Sequence, residues 1–481
     1  MTTQTTLFRL QVRDRMESEA LVVPADAAVS DVVAKMATGG QSAALVRAAD
    51  GGLAGILTER DVVARVACRD VAGLPVERVM TTPVLAVSAE ERLYAAIGTM
   101  RRHGLRHLAV SAADGTPSGV LDLHAALGVA VGALARHIDR LTHEDTLEGL
   151  AEVKAAQVDL VETLLADHVP APEIQALVSD INNDLYRRVL RLLVAEAGPP
   201  PVPFAAIVMG SGGRGESLLF PDQDNGLILA DYPDAEHDRI DGWFRELAER
   251  LTAAMAAVGF ALCRGGVMAT NPLWRKTLPQ WQAQVELWVR RRHEAMMLAA
   301  DILFDFVPVY GETALAAALR RTVTERAAGS PHFLHAMHSL AAGHGAGIGW
   351  FGRFLTERHD PAHRGEIELK RSGTLPLSEA VRLLALRGEV PATGTLDRIE
   401  GLRARGLLAG DEAEACASAF GTLTRLQLRQ QVQDYRGGRV PGNFVDPASL
   451  PERERGELRQ SLKAVNALRD RVRMELTSAV L

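Results

Sequence analysis

The 481-residue chain is too long for one hydrophobic core, and its length predicts about three domains, which its 47% hydrophobic and 23% charged residues indicate are folded. Its net charge of -7 excludes a general electrostatic attraction to nucleic acid, which depends on an excess of lysine and arginine. The three cysteines form no CxxC pair and no apolar run has the length of a signal peptide or membrane span, so we expect a cytoplasmic protein without disulfides or zinc.

The first 135 residues contain an internal repeat with an offset of 64 residues. The repeat aligns Val46 with Val110 and Gly55 with Gly119, among other pairs. In each copy the apolar spacing predicts a strand, an amphipathic helix, a strand, an Asp-Gly turn, a strand and a closing helix. Each copy is therefore predicted to be a βαββα module.

The segment GILTERDVV at 55–63 makes this region, residues 10–135, resemble a tandem pair of cystathionine-beta-synthase (CBS) modules. The resemblance implies that Thr58 and Asp61 bind the ribose and phosphate of AMP, ADP or ATP, and that two chains associate as a homodimer. The alternative is that Thr58 is a helix N-cap and Asp61 a first-turn carboxylate. In the second copy, Asp122 and Ala125 stand at these positions, so the resemblance does not extend to a second nucleotide site.

Residues 136–199 have a helical pattern and are predicted to form a connector. The sequence GPPPVP at 198–203 ends this pattern, because consecutive prolines cannot continue a helix. A new α/β domain is predicted over residues 200–320.

Two aspartates mark the predicted chemistry of this domain. Asp222 and Asp224 lie two residues apart at the start of a predicted strand, so their side chains point to the same face. Adjacent carboxylates repel each other unless a cation lies between them, and Mg²⁺ or Mn²⁺ is the natural choice for oxygen ligands. The alternative is that the two aspartates form only a solvated shoulder of a hairpin.

A glycine-rich turn, GSGGRG, begins at Gly210, before the two aspartates. Glycines allow backbone N–H groups to approach an anion closely, and the Ser211 hydroxyl and the Arg214 guanidinium can both donate hydrogen bonds to phosphate. The turn is therefore predicted to bind the phosphates of a nucleoside triphosphate. Two-metal chemistry usually needs a third carboxylate, for which Asp305 is the first candidate and Asp301 the second.

The string GSGGRGESLLFPDQDN resembles the motif of polymerase-beta-type nucleotidyltransferases. It is most similar to members fused to CBS modules and related to protein-PII uridylyltransferase and glutamine-synthetase adenylyltransferase. The resemblance implies metal-dependent transfer of a nucleoside monophosphate, with Asp222, Asp224 and Asp305 as metal ligands. Family members commonly carry arginine two residues after the third aspartate, where this chain has Val307.

Residues 330–481 have the pattern of successive helices and are predicted to form a helical bundle that shapes the acceptor pocket. The expected fold is thus a multidomain α/β protein with tandem CBS modules, a polymerase-beta-like nucleotidyltransferase domain and a C-terminal helical bundle. The expected function is Mg²⁺-dependent nucleotidyl transfer to an acceptor such as a protein hydroxyl, regulated by adenosine nucleotide. The alternatives are a non-catalytic adenylate sensor and a scaffold in a bacterial signalling complex.

Overall fold

The computed structural model describes residues 10–67, 73–91, 93–112, 114–127, 146–341, 347–349 and 352–478. The chain divides into two compact units, residues 1–143 and 144–481. Cys68 and residues 128–145, which hold the end of the predicted repeat and the start of the predicted connector, lie outside the described residues. No helix in these ranges is long and apolar enough to cross a membrane.

The first unit contains both predicted βαββα copies. The first copy comprises β1 (Leu21–Pro24), α1 (Val29–Gly39), β2 (Ala43–Arg47), β3 (Leu53–Thr58) and α2 (Glu59–Asp61). The second copy comprises β4 (Ala86–Ser88), α3 (Leu93–Arg102), β5 (His107–Ser111), β6 (Pro117–Asp122) and α4 (Leu123–Leu127). In each three-stranded sheet the first two strands are parallel and the last two antiparallel. The pair Val46–Gly55 recurs as Val110–Gly119, so the sequence repeat is also a structural repeat.

Each copy contacts the third strand of the other through residues that precede its own first strand. Backbone hydrogen bonds join Ile56 to Thr81 and Val120 to Glu17 in both directions. A Cβ atom added to Gly119 would lie 2.7 Å from the carbonyl oxygen of Glu17. Glycine is therefore needed at this repeated position because the backbone of the other copy approaches so closely.

The second unit begins with two long helices and a four-stranded sheet. Its elements up to the end of the sheet are α5 (Leu147–Ala166), α6 (Ala171–Ala197), β7 (Phe204–Met209), α7 (Gly210–Gly213), β8 (Asn225–Leu229), α8 (His237–Val258), β9 (Arg275–Thr277), α9 (Leu278–Arg291), α10 (Glu294–Leu303) and β10 (Phe306–Gly311). The strand order is β10-β7-β8-β9, with β9 parallel to β8 and the other pairs antiparallel. Every residue of β7 and β8 is buried, which explains the uninterrupted apolar run of β7 and the Leu-Ile-Leu sequence of β8.

The C-terminal part is helical, as predicted, with one small ribbon. It comprises α11 (Thr313–Ala328), α12 (Pro331–Ala341), β11 (Ile367–Glu368), α13 (Leu375–Arg387), α14 (Thr395–Ala404), α15 (Gly410–Arg436), β12 (Phe444–Val445) and α16 (Glu452–Ser478). Strands β11 and β12 pair antiparallel, and this ribbon was not predicted. Ile207 of β7 and Trp281 of α9 belong to the same hydrophobic cluster as Leu384 of α13 and Leu468 of α16. The sheet and the C-terminal helices therefore share one core.

A buried lysine joins the two long helices to the loop that precedes Asp222. The Lys154 side chain is 6% exposed, and its Nζ donates to Gln157 Oε1 (3.0 Å), Asn182 Oδ1 (2.8 Å) and the Leu219 carbonyl oxygen (2.9 Å). The ammonium also lies 4.4 Å from the centroid of the Phe260 ring. Because burial disfavours the charged form, it lowers the pKa of Lys154 to about 7.

This pKa makes stability dependent on pH in a direction that can be tested. The unfolded chain holds the Lys154 proton up to its ordinary pKa near 10.5, whereas the folded chain releases it near 7. Between these values the unfolded state binds more protons, so the contribution of this lysine to stability rises with pH, by about 1.4 kcal/mol per pH unit. Replacing Lys154 with methionine should remove this rise.

The free energy of unfolding would be measured from tryptophan fluorescence in urea at about pH 7.5 and about pH 9. All five tryptophans lie after residue 144, so the signal reports on the second unit alone. Between these pH values, wild type should gain about 2 kcal/mol relative to Lys154→Met. The exposed Lys463 provides the control, since Lys463→Met should keep the wild-type pH dependence. Parallel pH curves for wild type and Lys154→Met would contradict the assignment.

Candidate active site

The glycine-rich turn follows directly from the buried strand β7. Gly210 has a φ of +60°, and a Cβ atom added there would lie 3.1 Å from Asp224 Oδ2. Gly213 is buried, and a Cβ atom added to it would lie 2.1 Å from the carbonyl oxygen of Asp305. The glycines therefore serve first to let the chain turn and pack closely beside the aspartates.

Asp222 and Asp224 lie together, as their spacing predicted. Strand β8 begins only at Asn225, so the two aspartates precede it, but the side chains still alternate. Gln223 between them is fully buried, with its Nε2 donating to the carbonyl oxygens of Thr252 (3.2 Å) and Phe260 (3.3 Å). Asp222 is exposed and Asp224 partly buried, and both line one cavity.

The two carboxylates influence each other electrostatically. Burial and the neighbouring carboxylate of Asp222 raise the pKa of Asp224, while a hydrogen bond from Cys263 and the charge of Lys370 oppose the rise. Burial and the Asp224 carboxylate in turn raise the pKa of the Cys263 thiol to about 11. Cys263 is therefore a neutral thiol that donates to Asp224, and the excess negative charge stays on the aspartate pair.

The cavity has a volume of about 250 Å³ and is lined by both halves of the second unit. We call the elements from α5 to β10 the strand half and those from α11 onward the helical half. The lining residues from the strand half include Gln175, Ser211, Arg214, Glu216, Asp222 and Asp224. Its lining from the helical half includes Lys370, Thr374, Leu375, Ser378, Phe420, Gln427, Gln431, Pro441 and Asn443. The site is thus complete only where the helical half closes over the loop that bears the aspartates.

Arg214 does not lie free for phosphate, contrary to its predicted role. Its Nε donates to Glu216 Oε2 (2.7 Å) and its Nη1 to Asp305 Oδ2 (2.9 Å). The side chain is only 10% exposed, and two carboxylates already neutralise its charge. Glu216 is held as well, because its Oε1 accepts a hydrogen bond from the backbone N–H of Thr395 (2.5 Å). Arg214 lines the cavity but is fixed in a structural network.

Asp305 is not brought to the aspartate pair, which corrects its assignment as the third metal ligand. Its side chain is fully buried and accepts hydrogen bonds from Arg214 (2.9 Å), Arg382 Nη1 (2.8 Å) and Arg398 Nη2 (2.6 Å). The alternative, Asp301, pairs with Arg382. Within the described ranges there is no cluster of three or more His, Cys, Asp or Glu that could hold a metal. Both aspartates instead serve the contact with the C-terminal helices.

Lys370 is the cation that sequence reasoning did not assign to the site. It lies at the start of a π-helical turn, Lys370–Thr374, that leads into α13, and it is exposed in the cavity. Single π-helical turns are frequent at functional sites. The sequence signal was the Lys-Arg pair before the glycine of LKRSG, but nothing in its spacing connected it to Asp224.

The predicted nucleotide-binding residues of the first unit form a local network. The Thr58 backbone N–H and hydroxyl donate to Asp61 Oδ2 (3.0 and 2.7 Å), and the Asp61 N–H donates to Thr58 Oγ1 (3.3 Å). Thr81 Oγ1 donates to Asp61 Oδ1 (3.0 Å). This reciprocal pattern is a capping box, which is the structural alternative considered for these two residues.

Three family models match the chain and together span most of it. The model "CBS domain" matches residues 12–67 and 76–132. The model "Putative nucleotidyltransferase DUF294" matches residues 155–295, and "Putative nucleotidyltransferase substrate binding domain" matches residues 331–476. They agree with the repeat, the sheet with its preceding helices, and the helical half described above. No curated protein matches the sequence.

Similar solved structures correspond to the CBS region. A CBS domain protein from Pyrobaculum aerophilum complexed with AMP is 24% identical, with a TM-score of 0.23, over 24% of this chain and 89% of that chain. A conserved CBS domain protein of unknown function from Thermoplasma acidophilum is 22% identical, with a TM-score of 0.25, over 28% of this chain and 76% of that chain.

The corrected role of Asp305 can be tested by stability. Asp305→Asn would leave three buried guanidinium groups without their shared carboxylate, so we expect the second unit to lose about 3–5 kcal/mol. Asp222→Asn, at an exposed position, should change stability by less than about 0.5 kcal/mol. Urea denaturation followed by tryptophan fluorescence measures both. Equal stability of the two variants would show that Asp305 is not structural.

Proposed function

The chain belongs to the CBS-containing nucleotidyltransferases, and we propose that it transfers a nucleoside monophosphate from a nucleoside triphosphate to an acceptor hydroxyl at Asp222 and Asp224. The observation that carries this proposal is the pair of carboxylates in one polar cavity. Within the described part of the chain neither forms an ion pair, in contrast to Asp305. Such a pair is suited to bind a cation together with substrate phosphates.

The residues present fit Mg²⁺ or Mn²⁺. Mg²⁺ is commonly bound by one or two carboxylates together with water and substrate phosphates, so a third protein carboxylate is not required. Asp222 and Asp224 would supply those two carboxylates. When bound, the metal ion would neutralise phosphate charge and lower the barrier to attack at phosphorus. Burial and the Asp222 carboxylate raise the pKa of Asp224, and a bound cation would oppose both effects by stabilising the charged carboxylate.

The protein's own residues would position the phosphates and the acceptor. Ser211 Oγ, at the start of the turn, can donate to a phosphate oxygen. Lys370 takes the place that Arg214 was expected to fill, since it is the lysine of this cavity and its charge acts on Asp224. The acceptor oxygen forms a bond to the α-phosphorus as the bond to the β-phosphate breaks, pyrophosphate leaves, and the hydroxyl proton passes to solvent. Orientation and charge complementarity provide the acceleration.

The acceptor we propose is a protein hydroxyl, because the motif GSGGRGESLLFPDQDN resembles that of enzymes related to protein-PII uridylyltransferase and glutamine-synthetase adenylyltransferase. The CBS pair would regulate the reaction by binding an adenosine nucleotide at Thr58 and Asp61. Since both Asp61 oxygens already accept hydrogen bonds, a ribose would have to replace the bonds from Thr58 and Thr81. Cys263 and Cys416 are both free thiols, which fits a reducing cytoplasm.

A non-catalytic adenylate sensor is the second candidate. The observation in its favour is that the described residues place no third carboxylate beside Asp222 and Asp224. In that case the helical half would bind a partner and the cavity would hold nucleotide without turnover. Transfer measurements on the aspartate variants separate the two functions.

The transferase is tested by replacing both aspartates. We expect Asp222→Asn/Asp224→Asn to reduce transfer of label from α-labelled triphosphates to lysate protein by at least about 100-fold, because charge stabilisation at phosphorus is lost. Mn²⁺ binding, measured by electron paramagnetic resonance, should be lost in parallel. Mn²⁺ binding by wild type without label transfer to any acceptor would instead favour the sensor.

Two controls accompany this measurement. Tryptophan fluorescence in urea checks that the double variant remains folded. Added AMP tests regulation, since it should change transfer by wild type but not by Asp61→Ala. An unchanged response in Asp61→Ala would place the regulatory site elsewhere.

The role of Lys370 is tested by binding. Lys370→Ala should weaken the binding of a non-hydrolysable triphosphate analogue with Mg²⁺ by about tenfold, since one charge-assisted contact is worth about 1.5 kcal/mol. Calorimetry measures this directly. Arg371→Ala is the matched control, because Arg371 is the exposed neighbour that does not line the cavity. Equal weakening in both variants would indicate a general effect of surface charge.

A further inference from the structure

Four amide side chains line the same cavity as Asp222 and Asp224. They are Gln175, Gln427, Gln431 and Asn443. Two are partnered: Gln175 Nε2 donates to the Glu216 carbonyl oxygen (2.8 Å), and Gln431 Oε1 accepts from the Leu219 N–H (3.0 Å). These two hold the loop that carries the aspartates. They leave the other two amides for a different role.

Gln427 and Asn443 each present a buried polar atom that lacks a partner. Gln427 is 1% exposed, and its Nε2 has almost no accessible surface. Across the described ranges, neither Gln427 Nε2 nor Asn443 Oδ1 has a hydrogen-bond partner. A buried donor or acceptor left unpaired is costly, and native structures keep few of them. Both side chains line the cavity, so a ligand that displaced the side chains packed over these two atoms would satisfy them.

The position of Asn443 connects this pair to the phosphate end of the cavity. Asn443 precedes β12, and its carbonyl oxygen accepts a hydrogen bond from the Leu369 N–H (2.8 Å). Lys370 is the next residue after Leu369 in the chain. Asn443 and Lys370 are therefore parts of one local framework, the β11–β12 ribbon and the turn that follows β11. Gln427 reaches the same cavity from α15.

The chemistry of this lining matches a nucleobase. Gln427 offers a donor and Asn443 an acceptor, and the hydrogen-bonding edge of a base presents both kinds of group within one plane. Phe420, Leu375 and Pro441 add apolar surface to the same cavity, which suits the face of an aromatic ring. No carboxylate or guanidinium is needed for such a contact. A nucleoside triphosphate whose phosphates lie at Asp222 and Asp224 would bring its base into the same cavity as Gln427 and Asn443.

We propose that Gln427 and Asn443 bind the edge of the nucleobase and so determine which nucleoside triphosphate the enzyme uses. This inference rests on the proposed function, because it places the phosphates at Asp222, Asp224 and Lys370. The helical half then contributes both a phosphate contact and base selection, while the strand half contributes the carboxylates. Gln427 and Asn443 are specificity-determining residues and take no part in bond making.

The test compares base selection with phosphate binding in the full chain. Calorimetry with Mg²⁺ would measure the affinities of α,β-methylene analogues of ATP, UTP, GTP and CTP, and of inorganic tripolyphosphate. Wild type should prefer one base. Gln427→Leu and Asn443→Leu should each weaken the preferred analogue by about 5- to 150-fold and reduce the differences among bases. The affinity for tripolyphosphate should stay unchanged.

The controls separate this inference from its premise. Gln427→Leu removes an unpaired polar atom, so urea denaturation should show no loss of stability. Wild-type base preference retained in both variants would overturn the inference and leave the transferase proposal intact. If Asp222→Asn/Asp224→Asn binds tripolyphosphate and every analogue as well as wild type does, the proposed function fails. Loss of tripolyphosphate affinity in Gln427→Leu would also overturn the inference, by showing a general disturbance of the cavity.

Discussion

The buried carboxylate of Asp305 holds the second unit together at its site. It accepts hydrogen bonds from Arg214 in the glycine-rich turn, Arg382 in α13 and Arg398 in α14. Moving a charged group out of water costs several kcal/mol, and this cost is recovered only when all its partners are in place. The turn that bears Ser211 therefore reaches its final position only when the C-terminal helices have packed on it. The two halves of the unit depend on each other for a working cavity.

The same constraint explains which parts of the site the sequence could predict. That Asp222 and Asp224 point to the same face was predictable, because side chains alternate along any extended segment. The βαββα copies were predictable because a repeat reveals its own period. Asp305, by contrast, bonds to residues 77, 91 and 93 positions away, and no local pattern encodes such partners. From the sequence alone, an aspartate next to a strand and an arginine among glycines have the same pattern whether they bind a substrate or form an ion pair with each other.

In the first unit, the two copies share one backbone arrangement but differ in the side chains at their predicted nucleotide sites. Gly55 and Gly119 lie at equivalent positions, each where a segment of the other copy approaches too closely for a side chain. After β3 and β6, however, the side chains differ. Thr58 and Thr81 both donate to Asp61, whereas Asp122, at the position of Thr58, accepts hydrogen bonds from the N–H of Ala125 and from Arg106. Backbone packing preserves the repeat, and the side chains make its two sites unequal.

The cavity of the second unit contains two unfavourable features, a pair of neighbouring carboxylates and a buried amide without a hydrogen-bond partner. At Asp222 and Asp224, two carboxylates lie beside each other, and the pKa of Asp224 is raised as a result of burial and this repulsion. At Gln427, a buried amide group lacks a partner among the described residues. Each feature lowers the stability of the folded state. A molecule that carries phosphates with their cation at one end and a hydrogen-bonding ring at the other would relieve both. The arginine cluster around Asp305 stabilises the fold beside them, and a cavity held in this way can keep unsatisfied groups in place for the nucleotide that we propose as its ligand.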